Sequence, residues 1–62
     1  MKPIIKVHYA ETGKEVIVNM RFVDYIHPES EDSDRATIEF NSGGKVPVVE
    51  TCGEIYDLIY NN

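Results

Sequence analysis

Apolar and polar residues alternate with a period of two along most of this chain and change to a helical period only at its end. Between Lys2 and Tyr9, the side chains of Ile5, Val7 and Tyr9 fall on one face and those of Lys6 and His8 on the other. Such alternation of branched and aromatic residues predicts a half-buried strand. Glu11-Thr12-Gly13-Lys14 predicts a turn in which Gly13 takes a left-handed backbone position. A second strand follows from Glu15 to Val18, and the two make a hairpin. Val16-Ile17-Val18 is too continuous to reveal which face is buried.

Asn19-Met20-Arg21-Phe22 interrupts the strand pattern. Asn19 is a good helix N-cap, so a single helical or 3₁₀ turn is expected here with Phe22 tucked inward. A third strand reads from Val23 to His27, with Val23 and Tyr25 on one face and Asp24 and Ile26 on the other. Pro28 lacks a backbone donor and is expected to end it. Glu29 to Asp34 then reads as a solvated acidic loop. Arg35 to Asn41 has the clearest alternation, with Ala36, Ile38 and Phe40 inward and Thr37 and Glu39 outward. Asn41-Ser42-Gly43-Gly44 turns the chain. Lys45 to Glu50 returns with Val46 and Val48 inward. Pro47 in its middle predicts an edge strand, or a nitrogen that faces away from a neighbour.

Thr51-Cys52-Gly53-Glu54 has the form of a capping box, and Ile55, Leu58 and Ile59 then share one helical face. Tyr56 and Tyr60 flank that face, and Asn61-Asn62 reads as a frayed end. A helix of this length is marginal alone in water, so it is expected to close one face of the sheet. The fold class is mainly β (α+β): a five-stranded antiparallel meander or half-barrel with one short C-terminal helix packed on it. Residues 1–62 form a single small domain without repeat or linker.

Composition adds limits. A chain of 62 residues buries only about 60% of its unfolded surface, so its stability is marginal. Cys52 is the single cysteine, which excludes a disulfide within the chain and suits a reducing, cytoplasmic compartment. With only His8 and His27 as nitrogen ligands, no metal site is expected. Self-association, as a homodimer or larger homo-oligomer, and a self-sufficient core both remain open as sources of stability. Ile4-Ile5 is too brief for a signal-peptide core, and no apolar run approaches the length of a membrane span. The net charge is −5 and the basic residues Lys2, Lys6, Lys14, Arg21, Arg35 and Lys45 are scattered. Binding to a nucleic-acid backbone rests on clustered positive charge, so this balance disfavours nucleic acid and favours a basic partner.

No residue set specifies a reaction. A calcium loop needs a central glycine, and the acidic run has none. Cys52 sits where a helix dipole would favour its thiolate, but no motif ties either histidine to it. Outward-facing strand histidines are the plain reading of His8 and His27. Gly43-Gly44-Lys45 joins two strands, whereas a phosphate loop opens a helix. No cofactor fingerprint, nucleophile–base pair or carboxylate pair with a defined pocket is present, so an enzyme is not expected. Tyr9, Tyr25, Tyr56 and Tyr60 are many for so short a chain, and tyrosine suits both core rims and interfaces.

Val16-Ile17-Val18-Asn19, Val23 to Ile26, Thr37-Ile38-Glu39-Phe40, Gly44-Lys45, Val48-Val49-Glu50 and Ile55 to Ile59 follow one another in that order. In that order the stretch from Gly13 to Ile59 resembles the small FlbD/SwrD-type flagellar proteins. The resemblance implies a role in flagellar gene regulation or motor function and carries over no catalytic residue. The chain departs from that pattern in Glu29 to Asp34 and at Pro47.

The leading expectation is a non-enzymatic regulatory or adaptor module that binds a protein partner. Its expected surface is an open sheet edge at Lys45 to Glu50, including Pro47 and Val49, with Tyr25, Tyr56 and Tyr60 nearby. A second expectation is a small acidic inhibitor, of phage type, in which Glu29, Glu31, Asp32 and Asp34 mimic nucleic acid on a basic target. A nucleic-acid-binding regulator is a third.

Overall fold

The computed structural model describes residues 1–60, so the end expected to fray, Asn61-Asn62, lies outside the described residues. The period-two segments form β1 (Ile4–His8), β2 (Glu15–Asn19), β3 (Val23–Ser30), β4 (Ser33–Phe40) and β5 (Lys45–Thr51), followed by α1 (Cys52–Tyr60). All strand pairings are antiparallel. They divide into a two-stranded sheet, β1-β2, and a three-stranded sheet, β3-β4-β5.

The expected left-handed turn positions are present. Gly13 has φ 73° in the β1–β2 turn and Gly43 has φ 93° in the β4–β5 turn. Around the second, the Phe40 amide donates to the Gly44 carbonyl and the Gly43 amide to the Phe40 carbonyl, each at 2.9 Å.

β2 does not continue into β3 as a paired neighbour. A 3₁₀ turn at Met20–Phe22 carries the chain between the sheets, and the Asn19 side chain caps it by accepting from the Arg21 amide. The turn is tied at both ends: the Met20 amide donates to the Pro3 carbonyl and the Asn41 amide to the Phe22 carbonyl, each at 2.8 Å. Phe22 is 55% exposed, which corrects the expectation that it tucks inward. Residues of a 3₁₀ turn are spread roughly 120° apart, and Met20 is the one that packs against the core.

The two sheets meet where β1 runs beside β5. Tyr9 forms an antiparallel bridge with Val48, and the Ala10 amide donates to the Pro47 carbonyl at 3.1 Å. The spatial order is therefore β2-β1-β5-β4-β3. Among the described residues, the outer edges of β2 and β3 have no strand neighbour.

Buried side chains of β1 (Ile5, Val7), β2 (Val18), β4 (Ala36, Ile38), β5 (Val48) and α1 (Ile55, Ile59) form one core. Burying a side chain such as Ile38 or Ile55 contributes roughly 1.5–3 kcal/mol. The helix begins as its sequence predicts. The Glu54 amide donates to Thr51 Oγ1 at 3.1 Å, and the Thr51 amide donates to Glu54 Oε1 at 2.9 Å. α1 lies against β1, β3, β4 and β5, and the Lys2 amide holds its far end by donating to the Ile59 carbonyl at 2.9 Å.

At the β3–β4 tip the boundaries differ from the sequence reading. Pro28 does not end β3, which runs to Ser30 with Pro28 opposite Ala36. β3 is an edge strand, where a missing outward donor costs little. The acidic segment is accordingly not a loop: Glu29 lies in β3, Asp34 in β4, and only Glu31-Asp32 turns between Ser30 and Ser33.

Candidate binding face around β3 and α1

The sequence-predicted contact residues fall into two separate places. Glu29, Glu31, Asp32 and Asp34 stand exposed on the β3–β4 hairpin tip. Tyr25, 57% exposed, lies further along β3, and Tyr56 and Tyr60 lie exposed on α1 with ring centroids 4.7 Å apart. These residues border β3 from its tip, its outward face and the helix beneath it. Pro47 and Val49 are exposed on β5, across β4 from β3. The edge of β5 is not open as expected, because Tyr9 and Ala10 pair along it. The β1–β2 connection instead forms a depression of about 370 Å³ with β5, lined in part by Tyr9, Thr12, Lys45 and Pro47.

On the helix side of β3, Ile26 joins Cys52, Ile55, Tyr56 and Ile59 in lining a shallow apolar groove of about 240 Å³. Cys52 is a half-buried free thiol packed against the core, as expected of a small residue at a helix start. The groove escaped the sequence reading because it joins β3 to α1. Only the full topology brings these segments together.

On the opposite face of β3, Tyr25, His27 and Glu39 form a polar cluster. The rings of Tyr25 and His27 lie 5.7 Å apart between centroids. His27 Nε2 is 2.5 Å from Glu39 Oε2, and its Nδ1 is 2.9 Å from the Pro28 carbonyl. The Glu39 charge raises the Tyr25 phenol above its usual pKa, with desolvation, a hydrogen bond to Glu39 and the Asp24 charge acting the same way. A plain hairpin turning at Glu31-Asp32 would set Tyr25 opposite Ile38; the register shift between Pro28 and Ser30 sets it opposite Glu39 instead, so the cluster was not legible from the turn alone.

A second histidine–glutamate pair joins the sheets. Glu50 accepts from the His8 amide at 2.9 Å through Oε1 and lies 2.6 Å from His8 Nδ1 through Oε2. Burial pushes the Glu50 carboxyl up, but hydrogen bonds from the His8 ring and amide outweigh it, and the net direction is down. No local pattern could have revealed a pair this distant in sequence. Neither histidine is therefore simply solvated, and each pairs with one carboxylate. Among the described residues, no group of three or more His, Cys, Asp or Glu side chains is placed to hold a metal ion. No helix among them is long and apolar enough to cross a membrane.

Comparison with protein-family models, with curated proteins and with solved structures finds no match to this chain.

Proposed function

We propose that the protein is a non-enzymatic regulatory or adaptor module that works by docking a protein partner on the face around β3 and α1. The observation that carries this reading is the unpaired β3 edge with exposed aromatic side chains on both sides of it, Tyr25 on one and Tyr56 and Tyr60 on the other. Tyrosine combines a large apolar area with a polar tip and is enriched in interfaces, and a free strand edge accepts another strand. The lone free thiol of Cys52 fits action in a reducing, cytoplasmic compartment. The resemblance to flagellar proteins supplies one setting for such a module. A location among flagellar genes would support that setting, and a location among phage early genes would contradict it.

The test is affinity capture from the native host using the full chain, with a Tyr25→Ala/Tyr60→Ala variant as control. The expected result is a defined protein retained by the parent and lost by the variant. No retained protein, together with a monomer in sedimentation equilibrium, contradicts the reading.

A second reading, the acidic inhibitor that mimics nucleic acid, draws support from the shape of the hairpin tip. β3 and β4 extend to Ser30 and Ser33, so Glu29, Glu31, Asp32 and Asp34 are held on a paired scaffold. Replacing all four by Asn or Gln should then abolish inhibition of a nucleic-acid-binding target. Unchanged inhibition would discard this second reading.

A further inference from the structure

The apolar groove beside β3 does not stop at Cys52. There it meets a second depression, of about 460 Å³, whose lining includes Cys52, Ser30, Thr51, Glu31 and Asp34. The two make one path along β3, apolar at the Ile59 end and acidic at the hairpin tip. Arg35 is the single Lys or Arg within β3, the tip, β4 and α1. The hairpin-tip end of the path is thus negative, while Lys2 lies at its Ile59 end; its floor is apolar and its flank is an unpaired strand edge.

We propose that this path binds an extended, basic amphipathic peptide segment of a protein partner, added as a strand along β3. The proposal rests on the protein-docking reading above and specifies the chemistry of the occupant. An added strand would take its main-chain hydrogen bonds from β3. Its alternate side chains would point toward α1, where Ile26, Tyr56 and Ile59 present apolar surface. Its Lys and Arg side chains would meet Glu31 and Asp34. A second copy of this chain is a poor occupant, because its β3 brings Asp24 and Glu29 against the same carboxylates. Nucleic acid would set phosphates against them.

The test is selection of random twelve-residue peptides displayed on phage, with the full chain as bait. One synthetic representative is then titrated against the parent and two surface variants. The recovered peptides are expected to combine Lys or Arg with apolar residues at every second position. The synthetic peptide should move amide resonances in Val23–Ser30 and Cys52–Tyr60, and its affinity should fall as salt rises. Tyr56→Arg and, separately, Glu31→Lys/Asp34→Lys should each weaken it at least tenfold. All three positions are exposed, and circular dichroism checks that each variant folds. Recovery of neutral or acidic peptides, resonance shifts confined to Ile4–Asn19, or no recovered peptide overturns the proposal. A partner captured from the host that is lost with Tyr25→Ala/Tyr60→Ala would, in that event, leave the broader docking reading standing.

Discussion

At the residue scale, single side chains hold joints that the strand pattern alone does not secure. Glu50 clamps β1 to β5 through both the ring and the amide of His8, and its carboxyl is more acidic in the folded chain than its ordinary value. A carboxyl whose pKa is lowered by folding contributes stability that is complete above the unfolded pKa of about 4.3 and lost as pH falls through the folded value. Urea unfolding between pH 6 and pH 2 should therefore show stability falling through the acid range. Glu50→Gln should flatten part of that fall and cost about 1.5–3 kcal/mol near neutral pH, the range for a charged hydrogen bond. An unchanged acid limb in the variant would remove Glu50 from this role. Gly43 gives a second residue-scale prediction. A Cβ there meets nothing within 4 Å, so the cost of Gly43→Ala is that of a left-handed backbone alone, about 1–2 kcal/mol. Chemical denaturation measures it, and a neutral effect would mean the turn relaxes to another conformation.

At the element scale, α1 depends on its cap and on its two buried isoleucines. Thr51→Ala removes one half of a reciprocal cap and should cost about 1 kcal/mol. Ile55 is 1% exposed, and Ile55→Ala should cost about 2–5 kcal/mol through lost burial and a residual cavity. Thermal unfolding followed by circular dichroism ranks the two, and a larger loss from Thr51→Ala would contradict the packing described. This helix was the most legible element, because its cap, its apolar face and its length all lie in one continuous segment. The β1–β2 and β4–β5 hairpins were legible for the same reason, with Gly13 and Gly43 marking their turns. Phe22 and Pro28 were misread because their surroundings are set at long range. Whether a 3₁₀ residue faces the core depends on how two sheets sit, and whether a strand proline is tolerated depends on which strand is an edge. The candidate face was half legible: the acidic tip and the tyrosines stand out in the sequence, but the groove that unites the tip with the helix needs β3 and α1 in contact.

At the scale of the whole molecule, the joining of β1 to β5 decides which edges are open. Pro47 marks β5 as an edge of its own sheet, yet Tyr9 and Ala10 occupy that edge, and β3 is left exposed beside a helix. Charge then selects among partners. With a net charge of −5, the protein should give no gel shift of duplex DNA even at low salt, where phosphate contacts are strongest. A salt-sensitive shift would revive the nucleic-acid reading. The most direct test of the account is amide hydrogen exchange on the full chain, free and saturated with a basic peptide recovered by display. Added protection concentrated in Val23–Ser30 and Cys52–Tyr60 is the predicted result, and protection confined to β1 and β2 would contradict it.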